Sequence, residues 1–278
     1  MSPQQPPTST SVSSSSPPQQ PNLLKVAKER MDAVVLMLTA MFLGGLFLLS
    51  GVALDIGLII FFAIVLGGIL FYIRLFQIGF LGNALRVQSG KHAHLLEMVN
   101  EISATLAMPT VDVFITQDPY LNAFAVGYHH PYTIVLHSAT VDELTPDELK
   151  AVLVHEMGHI KYKHTIITAY TQPMSVLVPV LGPIVAWSFG FWSRRAELTC
   201  DRLATAYVGS PHTVASALMK NHVGSKFAAY LTEERVYQQD VYSKGAMRQL
   251  SQSLSTHPFL VTRVREVMEF AKRSGIVQ

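Results

Sequence analysis

From Ala33 to Ala53 the chain carries no charged residue, and after Asp55 a second uncharged run extends from Gly57 to Ile73. Each approaches the ~20 residues that a helix needs to cross ~30 Å of hydrocarbon, so together they predict a transmembrane helical hairpin within residues 25–78. Lys25, Lys28 and Arg30 precede the pair and Arg74, Arg86 and Lys91 follow it, whereas the connection holds only Asp55. That asymmetry places both ends of the hairpin in the cytoplasm. Ahead of it, residues 1–24 are rich in Ser, Pro and Gln. Such a segment lacks the apolar side chains needed to offset backbone ordering, and it predicts a disordered tail.

Behind the hairpin the periodicity changes. KHAHLLEMVNEISATLAM (91–108) repeats its apolar positions every three to four residues and predicts an amphipathic helix. VDVFI (111–115), LNAFAVG (121–127) and YTIVLH (132–137) are rich in β-branched or aromatic residues and are separated by turn residues, so they predict three strands. The last two are expected to pair as a hairpin within a small antiparallel sheet. Thr145, Pro146 and Glu148 then announce a helix through a T-x-x-E capping box with proline in the first turn. Leu149, Val152, Leu153, Met157 and Ile160 supply its buried stripe. The expected fold is therefore α+β, with an N-terminal transmembrane hairpin and a mostly helical domain over residues 79–278.

Composition supports the membrane reading. Hydrophobic residues make up 49% of the 278 and charged residues 14%, against ~25% charged in an ordinary soluble domain. The excess apolar surface calls for a lipid bilayer as partner. A net charge of +2, with no basic and aromatic cluster, excludes a nucleic-acid partner. The single cysteine, Cys200, excludes an internal disulfide.

The capped helix carries HEMGH. His155 and His159 are four residues apart, so they share one helix face and can direct ring nitrogens at one ion, for which zinc is well suited. Glu156 lies ~100° round the helix, in reach of a water on the open metal position, and is the candidate general base. Downstream, RRAELTCDRLATAYV reads as a helix with Glu197 and Asp201 again four apart. Without the histidine pair this would be an exposed face salt-bridged with Arg194, Arg195 and Arg202. With it, Glu197 becomes the candidate third ligand, and Asp201 the acceptor for the far nitrogen of a ligating histidine.

If His159 and Glu197 meet at one ion, the apolar stretch from Thr165 to Trp192 must cross the membrane an even number of times or not at all. Its 28 residues span ~42 Å as helix, too few for two full crossings, and Pro173, Pro179 and Pro183 interrupt a straight rod. The expectation for 165–192 is a re-entrant or interfacial helical hairpin, or two abbreviated spans.

LNAFAVG, DELKAVLVHEMGHIKYKH, RRAELTCDRLA and STHPFLVTRV, in that order between about Gly90 and Arg265, resemble the HtpX-type membrane metallopeptidases. These are related to the CAAX prenyl proteases and to a stress protease of the mitochondrial inner membrane. The resemblance implies a gluzincin-type domain with one zinc ion, peptide-bond hydrolysis, and protein or peptide substrates drawn from damaged membrane proteins. It also implies a multi-pass protein of a bacterial or archaeal cell membrane with its catalytic domain in the cytoplasm. It further implies that His257 and Arg263 reach the active site and steady the oxyanion. LNAFAVG would be the edge strand to which substrate adds, through Asn122, Ala123 and Phe124. Residues 165–192 depart from relatives that have room for two full spans there. Two other readings share these motifs: a regulatory or maturation protease with one substrate, and a catalytically silent zinc-binding scaffold. The second would call for a replaced Glu156 or a missing third ligand, and this sequence has neither.

Overall fold

A computed structural model of the protein describes residues 37, 38, 40–42, 44, 45, 56–88, 90, 92–127, 130–169, 182–242 and 258–276. The tail and most of the first apolar run lie outside these residues. The second run forms α1 (Ile56–Leu81), whose only charged residue is Arg74 and whose Ile60, Phe61, Ile64, Phe71, Tyr72, Leu75 and Ile78 are exposed. Among the described residues no helix is long and apolar enough to cross a membrane.

A two-residue strand β1 (Leu85–Arg86) leads into α2 (Ala93–Thr105), β2 (Asp112–Thr116), β3 (Ala123–Val126) and β4 (Thr133–His137). The sheet order is β1-β2-β4-β3. β3 and β4 pair antiparallel as the sequence predicts, with Phe124 opposite Val135. The expectation of a purely antiparallel sheet is corrected: β2 runs parallel to β4, with Asp112 opposite Thr133. The physical reason is that β3 lies outside β4 instead of between β2 and β4. Residues 117–132 therefore serve as the crossover that parallel neighbours require. Central β4 is buried from Thr133 to Leu136, consistent with its unbroken apolar run. β3 is only half-buried and forms one edge of the sheet.

After a short α3 (Ser138–Glu143) comes the central helix α4 (Pro146–Lys161). Its capping box forms, with the Thr145 hydroxyl accepting from the Glu148 amide and Glu148 Oε2 accepting from the Thr145 amide at 2.8 Å. Glu148 also accepts from Ser216 Oγ (2.6 Å) and Lys220 Nζ (2.7 Å), tying the start of α4 to α6 (Pro211–Val223). Burial alone would raise the Glu148 carboxyl, but these bonds hold it below its ordinary range. Leu149, Leu153, Met157 and Ile160 are buried in the main core with Leu95, Val99 and Ile102 of α2 and Ile134 and Leu136 of β4.

Residues 164–169 are helical, and the middle of the 165–192 stretch lies outside the described residues. Its last part is the start of α5 (Gly182–Val208), one 27-residue helix that continues through Glu197 and Asp201. α5 packs closely on α4 because Gly158 has no side chain. A Cβ there would stand 3.0 Å from Cys200 Sγ and 3.2 Å from Leu203 Cδ2, tighter than packed carbon atoms accept. The glycine of HEMGH thus sets how near α5 can bring Glu197 to the histidines. The chain then forms α7 (Ser225–Ala228), α8 (Glu233–Tyr242) and α9 (Leu260–Arg273), whose buried face includes Arg263, Val264, Val267 and Phe270.

Candidate metal centre

The i,i+4 spacing on α4 brings His155 Nε2 and His159 Nε2 to 3.2 Å of each other. From α5, Glu197 places Oε2 3.4 Å from His155 Nε2 and Oε1 3.6 Å from His159 Nε2. Ligands at 2.0–2.2 Å in a tetrahedron stand about 3.3–3.6 Å apart, so the spacing of these three donors fits a zinc ion. The chemistry of the donor set fits as well: two imidazoles and one carboxylate leave a fourth position, the arrangement of catalytic zinc sites.

His155 Nδ1 lies 2.9 Å from Asp201 Oδ1, one helical turn beyond Glu197. Asp201 in turn receives Arg263 Nε at 2.8 Å and Nη2 at 2.7 Å, a bidentate pair, and Arg263 Nη1 approaches Glu197 Oε2 at 3.3 Å. Asp201 and Arg263 are 1% and 7% exposed, so neither charge can turn to water instead. Burial alone would raise the Asp201 carboxyl, but Arg263 and His155 outweigh it and hold it below its usual value. The partner of both carboxylates is thus Arg263 of α9, 62 residues beyond Asp201 in sequence.

The protein's charges favour a cation here. Burial works against charge on His155, yet the carboxylates of Asp201 and Glu197 prevail and raise its pKa to about 10. Burial instead dominates at His159, lowering it to about 4 and leaving its ring as a lone-pair donor. Burial raises Glu156 to about 7, against the opposing pull of His155.

Glu156 Oε2 accepts from the Ala125 amide of β3 at 2.9 Å, which joins the candidate base to the sheet edge. The carbonyl of Asn122 accepts from the His137 amide, so by antiparallel alternation Asn122 and Phe124 direct their backbone groups into β4. Ala123 and Ala125 direct theirs outward, where the Ala123 amide donates to Asn122 Oδ1 at 3.0 Å and the Ala125 amide to Glu156. Of the expected trio Asn122, Ala123 and Phe124, only Ala123 therefore presents its backbone to the open edge. Ala125 was not singled out by the sequence. Phe124 makes an edge-on contact with the His137 ring. His257 lies outside the described residues.

A second donor group shares a member with the first: His159, His164 and Cys200 also bring ligand atoms close together. Burial pushes the Cys200 thiol well up, and the Glu197, Asp201 and Glu156 carboxylates add to the effect. With no ion bound, its sulfur is therefore held as the neutral thiol. The first group adjoins Glu156, which reaches the sheet edge through the Ala125 amide.

The sequence model of peptidase family M48 matches residues 89–271. A plastoglobule-localized metallopeptidase of Arabidopsis thaliana is 30% identical over 210 residues, covering 69% of this chain and 61% of its own length. A protease HtpX homolog of Burkholderia multivorans is 24% identical over 226 residues, covering 68% of this chain and 78% of its own. The crystal structure of S. mikatae Ste24p superposes with a TM-score of 0.53 at 17% identity, over 88% of this chain and 66% of that one. The chain thus spans about two thirds or less of the plant relative and of Ste24p.

Proposed function

The chain belongs to peptidase family M48, and from that premise we propose that it is a membrane-bound, zinc-dependent endopeptidase acting on misfolded or damaged membrane proteins. The observation that carries the catalytic reading is the meeting of His155, His159 and Glu197 within 3.6 Å, with Glu156 tied to an open strand edge.

In this reading His155, His159 and Glu197 hold the ion. Zinc would supply Lewis-acid polarisation of the scissile carbonyl and acidification of the attacking water. An extended substrate adds to β3 at the outward carbonyls of Ala123 and Ala125, the two outward amides being engaged by Asn122 Oδ1 and Glu156. Glu156 takes the proton of the attacking water and passes it to the leaving amine. Asp201 holds His155 through Nδ1, so that Nε2 keeps its lone pair for the ion. Arg263 is committed to Asp201 and Glu197. Its role is to fix those carboxylates, which leaves the oxyanion to His257, a role that rests on the family resemblance.

The membrane part of the proposal is supported by the two uncharged runs and by the exposed apolar side chains of α1. A shell of that kind is covered by lipid more readily than by water. Residues 165–192 would lie in or against the same bilayer without a net crossing.

The test is cleavage of an unfolded casein-type protein by the detergent-purified, zinc-loaded chain. Chelation should abolish cleavage and added zinc restore it; a zinc-loaded chain that leaves casein intact would remove the quality-control reading. The pH profile carries a further expectation. Glu156 works as a base only when ionised, and its pKa is raised, so kcat/KM should rise with pH through an acid limb. With a dication held by the three ligands the limb would lie below the raised value, so its apparent pKa should fall between the ordinary 4.5 and about 7. A profile flat down to about pH 4 would contradict Glu156 as the base.

A further inference from the structure

The two histidine ligands are backed differently. His155 rests on a carboxylate, whereas His159 Nδ1 faces the Nδ1 of His164 at 3.3 Å. His164 follows His159 by five residues, an interval that would carry it off the ligand face of a continuing helix. α4, however, ends at Lys161, and Lys163 adopts a left-handed conformation with φ of 62°. Such a conformation is costly for a residue with a Cβ, and it persists where the surroundings enforce it. It turns the chain so that the His164 ring comes back under His159. There the ring packs edge-on against Trp192 of α5, with centroids 5.4 Å apart, and near Tyr162. His164 is 5% exposed.

We propose that His164 is a positioning residue for the metal centre: its Nδ1 accepts the proton-bearing Nδ1 of His159 and holds that ligand's Nε2 on the ion. The direction of the bond follows from ring chemistry. A neutral imidazole that offers Nε2 as a lone pair carries its proton on Nδ1, so His159 is the donor and His164 the acceptor. Cys200 Sγ, 3.7 Å from the same His164 nitrogen, is a weaker neighbour on the α5 side. His164 thus does for His159, without a charge, what Asp201 does for His155. The two ligands receive one carboxylate and one neutral acceptor, so the centre carries no additional buried anion that a second Arg263 would have to balance.

This inference rests on the metallopeptidase reading, and its test separates the two. Full-length protein in detergent is titrated with Zn2+ against a chelator of known affinity, and the visible absorption of the Co2+-loaded form is recorded. His164→Phe keeps a ring against Trp192 but removes the acceptor, and metal affinity should fall about 10–100-fold. His164→Asn places Oδ1 where Nδ1 stands and should recover most of that loss, together with the parent Co2+ spectrum. Should the Phe form melt well below the parent without metal, His164→Met serves as the apolar comparison. Parent-like affinity in the apolar variant, or an Asn variant no tighter than it, would overturn the proposal. So would a second bound equivalent with thiolate absorption that disappears in Cys200→Ser, because His159, His164 and Cys200 would then be ligands themselves. A parent that binds no metal would overturn the metallopeptidase reading, and this inference with it.

Discussion

Replacing Glu156 with Gln should lower kcat/KM on an unfolded protein substrate by about 10²–10⁴-fold, the usual contribution of a positioned general base, while zinc remains bound in equal amount. Gln keeps the shape of the side chain and can still accept from the Ala125 amide, so the sheet edge and the ligands stay where they are. The same variant makes a second expectation for the metal-free chain. The folded-state pKa of Glu156 is raised to about 7, so its ionised form destabilises the fold. That cost is absent below the ordinary pKa of 4.5 and fully present above about 7. The melting temperature of the Gln variant should therefore match the parent's near pH 4 and exceed it at pH 8. A variant that keeps parental activity would remove Glu156 from the mechanism. One that loses zinc as well would show it acting through the metal centre's integrity.

Asp201→Ala should be the most damaging single change to stability. It strips a buried guanidinium of a bidentate partner and His155 of its acceptor. Leaving one member of a buried pair uncompensated costs about 3–5 kcal/mol, and losing the partner behind a ligand weakens metal binding about 10–100-fold. Adding Arg263→Met should separate these effects. The double variant removes the stranded charge and should recover much of the stability, whereas metal affinity should stay low because His155 still lacks its acceptor. Calorimetry and chelator competition on the two variants read the terms independently. Simple additivity of the two stability losses would contradict the coupling.

That coupling shows where the sequence was sufficient as a guide and where it was not. The histidine pair, Glu156, and the Glu197 and Asp201 pair were all legible because a helix turns i,i+4 spacing directly into a shared face. The expectation that Asp201 backs a histidine followed from the same geometry, although nothing local could say which one. Arg263 was singled out only through family resemblance, and its contacts differ from the role assigned there. Its guanidinium faces Asp201 and Glu197, which local reasoning would have paired with Arg194, Arg195 and Arg202. Contacts across 62 residues are set by how α9 packs on α5, and no spacing rule reaches that far.

The sheet teaches the same lesson at the level of topology. Three strands were recognisable from β-branched and aromatic runs, within a residue or two of their observed bounds. Their order was not, since strand pairing is nonlocal and each run is compatible with several neighbours. Placing β3 at the edge is what turns the backbone of Ala123 and Ala125 away from the sheet and couples Ala125 to Glu156. The sequence places His164 only near the end of the motif helix, where it can favour the helix dipole, and for a different reason assigns it no part in the metal site. Its sequence interval is wrong for a helix, and only the left-handed turn at Lys163 returns it to the site.

The two donor groups that share His159 differ by one atom type, so X-ray absorption at the zinc edge tests the central assignment most directly. A site built from His155, His159 and Glu197 should show only nitrogen and oxygen neighbours at about 2.0–2.2 Å, with the outer-shell scattering of two imidazoles. A sulfur neighbour at about 2.3 Å would place the ion on Cys200 and contradict the account.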